Sequence, residues 1–206
     1  SPNVLCLPDE DARSKVGLAG KPYPHVEVTV ADAVTGEPLD GEATGELLVR
    51  GPSVFAGYFR APEQTALALH DGWLHTGDLV HRDGEGYYQV IDRISDMYIS
   101  GGESISPAEV ENVLAGHPAV SDIAVFGVPD ERWGEVGVAG IVVRAGVATD
   151  EEDLLGFCTG RLAGYKIPKA VVFVDHIPRS GGNKILRRVL ADQYRQSATR
   201  STRSPR

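Results

Sequence analysis

Three short stretches hold most of the side chains able to do chemistry. The first is Gly72-Trp73-Leu74-His75-Thr76-Gly77-Asp78-Leu79. Its carboxylate offers two adjacent oxygens, which can accept two hydroxyl hydrogen bonds with charge assistance. An Asp after a glycine is equally a common turn former, so both readings of Asp78 stand at this point. The second is Asp92-Arg93-Ile94-Ser95-Asp96-Met97-Tyr98-Ile99-Ser100-Gly101-Gly102-Glu103. Arg93 carries a permanent charge on a rigid fork of donors suited to anionic oxygens, or it forms a surface ion pair with Asp92 or Asp96. Gly101-Gly102 lets a backbone approach a thin ligand closely, or is a simple loop between short strands. The third is Pro178-Arg179-Ser180-Gly181-Gly182-Asn183-Lys184-Ile185-Leu186-Arg187-Arg188. Here Lys184 follows a flexible run that can bring a point charge to a developing anion, or it opens an amphipathic helix.

In this order and at these separations the three stretches resemble the adenylate-forming superfamily: acyl-CoA synthetases, nonribosomal adenylation domains and beetle luciferases. The resemblance covers nearly the whole chain except the tail. It is nearest to bacterial fatty-acyl-CoA synthetases, which also carry stretches like Gly57-Tyr58-Phe59-Arg60 and Asp130-Glu131-Arg132-Trp133-Gly134-Glu135. It implies a two-step reaction. A carboxylate attacks the α-phosphate of ATP (with Mg2+), pyrophosphate leaves, and the CoA thiol then displaces AMP from the acyl-adenylate. A small C-terminal domain swings between two poses, one for each step.

The same resemblance assigns roles. Asp78 matches the carboxylate that binds both ribose hydroxyls, and Arg93 an arginine near ribose and phosphate. Ser95 stands at the family's hinge, where Asp or Lys is usual. Ser is small and tolerates several backbone conformations, so a hinge and an ordinary linker residue both remain open. Gly101, Gly102 and Glu103 match the loop that faces the reaction centre in the thioester-forming pose. Lys184 matches the lysine that acts in adenylation, although Gly is more usual than Asn183 just before it. Trp133, Tyr165 and Lys169 lie on segments that flank the CoA nucleotide in related ligases. Aromatic faces can stack on adenine and Lys can meet a phosphate, while core packing is the alternative for Trp133 and Tyr165. Among the histidines, only His75, close before Asp78, is a candidate for testing.

The phosphate loop and the Thr-Glu pair of the family are not found in these 206 residues, and Ser1-Pro2 resembles the family sequence directly after that pair. The expectation is therefore a C-terminal piece of a ligase, inactive alone in adenylation, whose partner is the N-terminal part of the same polypeptide. A peptide-synthetase adenylation domain and a non-catalytic nucleotide- or CoA-binding module remain as alternatives.

Composition reads as that of a soluble globular protein. Hydrophobic residues make up 42% and charged residues 24%, ordinary for a globular chain. The formal net charge of -9 argues against a general nucleic-acid or membrane-surface binder. Cys6 and Cys158 show no metal-ligand spacing, no metal site is expected, and two cysteines favour a reducing cytoplasm. No apolar run approaches the ~18 residues of a membrane span.

The elements that must position these residues fall into two halves, giving an α+β class. Residues 1–93 read as a β-rich remnant of a large adenylation domain. Val26, Val28 and Val30 alternate with polar residues, and further strands are expected over 45–50 and 87–91, with a short helix over 62–69. Residues 94–195 read as a small mobile α+β domain. Ser106-Pro107-Ala108-Glu109 reads as an N-cap with a capping box. Strands are expected over 120–128, 136–144 and 171–174, and a helix over 150–162. A last helix carries Ile185, Leu186, Val189 and Leu190 on its apolar stripe. The Ser/Thr/Arg-rich residues 196–206 are expected to be disordered.

Overall fold

The computed structural model describes residues 4–201, the side chains of 198–201 excepted. The fold is α+β. The chain divides between Ser95 and Asp96 into two compact units.

The first unit is built on a six-stranded antiparallel sheet. Its strands are β3 (Glu27–Ala31), β4 (Pro38–Leu39), β5 (Ala43–Arg50), β6 (Leu69–His70), β7 (Trp73–Arg82) and β8 (Tyr88–Arg93). The order is β4-β3-β5-β7-β6, and β8 also pairs with β7. A separate two-stranded ladder, β1 (Leu5–Cys6) with β2 (Lys21–Pro22), precedes it. Val30, Leu47, Val49, Leu74, Val80 and Tyr88 form the core. Helix α1 (Pro62–Ala68) begins with Pro at its first turn and Glu63 beside the positive end of the helix.

In the second unit the sheet runs β10 (Glu103–Ile105), β9 (Tyr98–Ser100), β12 (Gly134–Val143), β11 (Val120–Asp130), and β13 (Ala170–Phe173) pairs in parallel with β12. Helices α2 (Pro107–Leu114) and α3 (Glu151–Cys158) bury Val110, Leu114, Leu154 and Cys158 with Ile123, Val125, Ala139 and Ile141. The other set of β11 and β12 side chains, Ala124, Phe126, Val136 and Val138, packs with Leu190 and Ala191 of α4 (Arg187–Ser201). Both faces of the hairpin are thus covered, which is why β11 and β12 read as nearly continuous apolar runs.

Several boundaries differ from the sequence expectation. Asp150 caps α3 by accepting from the Asp153 N–H at 2.9 Å, but the helix ends at Cys158 because the chain turns extended at Thr159 and Gly160 takes a left-handed φ of 77°. Ser106 occupies the N-cap position of α2 without a side-chain capping bond. Glu109 does not complete a capping box; its carboxylate takes Lys166 Nζ at 2.7 Å instead. The last helix starts only at Arg187, so Ile185 and Leu186 precede it. The disorder expected from residue 196 is not found through 201: α4 continues to Ser201, since Gln196 is a good helix former and no Gly or Pro stops the helix. Residues 202–206 lie outside the described residues. Among the described residues no helix is long and apolar enough to cross a membrane.

Candidate functional site

In the first unit the chemistry gathers at a bulge. Glu46 pairs with Leu79 and Leu48 with His75, so Leu47 alone stands opposite Thr76, Gly77 and Asp78. The surplus residues bend β7 away from the ladder and re-aim their side chains. Gly77 sits at φ 69°, a conformation that glycine adopts without steric cost. Three hydrogen bonds fix the bulge. The Gly77 N–H donates to Glu46 Oε1 at 2.9 Å, the Asp78 N–H to Thr76 Oγ1 at 3.1 Å, and the Thr76 hydroxyl to the Leu47 carbonyl at 2.7 Å. His75 Nδ1 lies 3.1 Å from the second Glu46 oxygen, and its ring stacks on His70 at 3.7 Å.

Strand β8 then brings Arg93 opposite Asp78. Arg93 Nε is 3.1 Å from Asp78 Oδ1, and Nη1 donates to the Thr76 carbonyl at 2.8 Å. Arg93 therefore forms an ion pair with Asp78, on the neighbouring strand. Asp78 itself is a strand residue beside a bulge, not the pivot of a simple turn. Both side chains stay open, at 34% and 47% exposure for Asp78 and Arg93. They line a cavity of about 270 Å³ with His75, Thr76, Phe55 and Tyr58, the last two rings 4.9 Å apart. Such a site offers acceptors to hydroxyls, a guanidinium to anionic oxygens and aromatic faces to a flat group.

The second unit carries two further clusters. Gly101 and Gly102 form the two-residue turn between β9 and β10, with φ 62° and 89°. Positive φ at both positions is the hairpin turn that demands glycine-like residues. The Gly101 N–H donates to the Trp133 carbonyl at 2.9 Å, and a Cβ on Gly101 would sit 2.9 Å from Trp133 Cε3, whereas one on Gly102 would meet open space. The Arg132 guanidinium lies 4.7 Å and Lys169 Nζ 6.0 Å from the Trp133 ring. Asp130 accepts from the N–H groups of Arg132 and Trp133 and so fixes this loop. Trp133 is 40% and Tyr165 47% exposed, so neither is a core residue. Tyr165 is on the 3-10 turn Gly164–Lys166 beside Lys166, and Glu103 is exposed on β10.

Lys184 stands on the stem of a tight loop. Arg179 bridges to Ile185, the Ser180 N–H donates to the Lys184 carbonyl at 2.8 Å, and the Leu186 N–H donates to the Pro178 carbonyl at 2.8 Å. Asn183 takes φ 62°, and Asn is among the few non-glycine residues that tolerate it. Lys184 is exposed, has no ion pair among the described residues, and lies ahead of α4 rather than in its first turn. Arg179 ties the loop to Asp122 at 2.8 Å.

The two clusters sit at opposite ends of one strand. The Lys184 loop is fastened near Asp122, and Trp133 with Gly101 near Asp130. Eight residues of antiparallel strand span ~27 Å. Ser95 lies in the 3-10 turn Ile94–Asp96, where the chain passes from one unit to the other. Among the described residues there is no group of three or more His, Cys, Asp or Glu able to hold a metal.

Sequence reasoning missed Glu46, which holds the bulge from the adjacent strand. It also missed Arg132, although the stretch containing it was informative. The signal for Arg132 was its adjacency to Trp133; nothing local marked Glu46.

Comparison with known proteins bears on the whole arrangement. Residues 109–184 match the family described as AMP-binding enzyme C-terminal domain, and residues 1–59 the family described as AMP-binding enzyme. A feruloyl-CoA synthase of Amycolatopsis is 49% identical over 187 residues, covering 91% of this chain and 38% of its own. A 2-succinylbenzoate–CoA ligase of Bacillus cereus is 44% identical over 191 residues, covering 92% and 39%. The o-succinylbenzoate CoA synthetase of Bacillus subtilis, solved with an acyl-adenylate intermediate, superposes with a TM-score of 0.82 at 41% identity, over 91% of this chain and 38% of that one. The chain thus spans less than two fifths of the length of these relatives.

Proposed function

The chain belongs to the adenylate-forming family of AMP-binding enzymes, and on that premise we propose that the protein it is part of is an ATP-dependent acyl-CoA ligase. In this reading residues 1–93 contribute to the large adenylation domain and residues 94–195 form the small mobile one. The acid's carboxylate oxygen attacks the α-phosphorus of ATP, the bond to pyrophosphate breaks, and an acyl-adenylate forms. The CoA thiol then attacks the acyl carbonyl, loses its proton, and AMP leaves.

The observation that carries the proposal is that the Lys184 loop is tied by Arg179 to Asp122 and the Trp133 turn to Asp130, anchor points ~27 Å apart along one strand. A lysine reaches only a few ångströms, so the two ends cannot serve one reaction centre at once. A unit that presents them in turn, rotating about Ser95, can. Lys184 places its charge on the phosphorane-like transition state of the first step. Gly101 and Gly102 give the pantetheine chain a close backbone path in the second. Trp133, Lys169, Tyr165 and Glu103 flank the CoA nucleotide, with Arg132 added as a cation beside the indole. Asp78 accepts the ribose hydroxyls, and Arg93 steers ribose and phosphate oxygens. One neighbour was solved with ATP and a magnesium ion; we place no magnesium ligand on this chain and expect the ion to travel with the nucleotide. Use of ATP and CoA fits a cytoplasmic location.

For the acid, the sequence resemblance points to a long- or medium-chain fatty acid, while the relatives are named for feruloyl and succinylbenzoyl groups. A panel of both classes in ATP–pyrophosphate exchange by the whole protein decides between them. The mechanism is tested by separating the half-reactions. Lys184→Ala should slow pyrophosphate exchange by roughly 100- to 1000-fold and spare acyl-CoA release from supplied adenylate. Gly102→Leu should do the reverse. Equal losses in both assays for both variants would refute alternation.

A further inference from the structure

Arg187, the first residue of α4, is largely buried, with its side chain 16% exposed. Its fork engages three elements. Nη2 reaches Glu111 Oε1 at 2.8 Å and Oε2 at 3.0 Å on α2, Nε donates to the Val125 carbonyl at 3.0 Å on β11, and Nη1 lies 3.6 Å from Asp96 Oδ2. Glu111 is only 14% exposed and also accepts the Val125 N–H at 2.8 Å. Arg187 follows Lys184 by three residues, a reach of at most ~11 Å of chain. Asp96 follows Ser95 directly. One guanidinium thus joins the base of the Lys184 loop, the sheet, and the residue that leaves the hinge.

We propose that Arg187 is a positioning residue that fixes the Lys184 loop and the hinge-side residue Asp96 in one rigid frame, so that rotation at Ser95 delivers Lys184 to a set place. The inference rests on the ligase reading above. A guanidinium is needed because three separate nitrogens are in use: Nη2 holds both Glu111 oxygens, Nε reaches the Val125 carbonyl and Nη1 faces Asp96. An ammonium can hold one carboxylate, as Lys166 holds Glu109, but it has a single nitrogen and cannot span all three. Lys184 is exposed and its side chain has no ion pair among the described residues, so its place depends on how the loop is fastened, by Arg179 to Asp122 on one stem and by Arg187 just beyond the other.

In the whole protein, Arg187→Lys should lower pyrophosphate exchange roughly 10- to 100-fold, the loss that a displacement of ~1 Å produces. Acyl-CoA release from supplied adenylate should stay within about two-fold. In a Lys184→Ala background the same substitution should add nothing, since a residue that acts through Lys184 has nothing left to position. Amides of Ser180 and Leu186 in the chain should exchange faster with solvent in Arg187→Lys. Multiplying losses in the double variant, or equal losses in both half-reactions, overturn the proposal. If Lys184→Ala is itself silent, the assignment of Lys184 falls and this role with it. If Lys184→Ala is severe and the losses multiply, only the positioning role falls. Should Arg187→Lys fold poorly, Asp96→Asn, which leaves the Arg187–Glu111 pair in place, carries the same cycle. It should show the same asymmetry, and exchange equal to wild type would overturn the proposal.

Discussion

Gly101 and Gly102 are adjacent, share left-handed backbone, and differ in what a side chain would meet, so a pair of alanine substitutions separates backbone cost from displacement of Trp133. Placing Ala in that conformation costs ~1–2 kcal/mol at either position. On Gly102 the new methyl points into open space and nothing more is lost. On Gly101 it lies 2.9 Å from Trp133 Cε3 and 3.3 Å from Cζ3. Carbon atoms settle at about 3.5–4.0 Å, so the indole must retreat by roughly half an ångström or more. Trp133 is 40% exposed and can move, which keeps the added cost near the lower end of overpacking, ~1 kcal/mol. In a unit of roughly 100 residues that extra cost lowers the midpoint by about 4–8 °C. Thermal unfolding of the two variants should therefore show Gly101→Ala below Gly102→Ala by that margin. Only Trp73 and Trp133 emit, so a change in indole emission confined to Gly101→Ala reports the displaced ring. Equal midpoints with unchanged emission, or a worse Gly102→Ala, would refute the assignment of Trp133 to the face of this turn.

Two further expectations concern the first unit. Asp78→Asn keeps the shape but removes charge from two proposed hydroxyl bonds, so ATP affinity of the whole protein should fall by roughly 10- to 100-fold, read by calorimetry; because the Arg93 pair is half exposed, the unfolding midpoint should barely move. Tyr87 donates to Asp11 Oδ2 at 2.6 Å, and that bond, with burial and nearby carboxylates, pushes its pKa to about 12; the folded state therefore holds a proton that the unfolded chain loses near 10, the stabilisation is complete below pH 10 and fades as pH rises towards 12, and Tyr87→Phe should flatten that fall in a pH series of unfolding midpoints.

What could be read from the sequence was whatever local pattern carries. The β11–β12 hairpin was legible because two apolar runs flank the polar stretch Asp130-Glu131-Arg132-Trp133-Gly134. The motifs with Asp78, Arg93, Gly101 and Lys184 were legible as residues, not as geometry. That Asp78 and Arg93 are cross-strand partners depends on register, which the bulge shifts. That bulge is held by Glu46, 31 residues before Gly77, where a lone glutamate in a strand looks like any solvent-facing one. Glu109 read as a cap because Ser106 stands three residues before it, yet Lys166, distant in sequence, offers it a full charge. The start of the last helix was misplaced because Ile185 is apolar at helical spacing while its backbone bridges to Arg179. Partners remote along the chain decide all but the last of these cases, where the partner stands six positions back in the same loop.

The ladder between Asp122 and Asp130 is unbroken, so the span between the two ends of β11 behaves like a gauge block graduated in residues. One residue added to each strand would lengthen it by ~3.4 Å and turn every later side chain over, sending Phe126 to the side of Val125. Only additions in twos preserve both cores, and each lengthens the block by ~7 Å, about a quarter of its length. Its length therefore has no fine adjustment. Small corrections to where either end arrives must come from the loops bolted to it, at Arg179 on one side and Asp130 on the other.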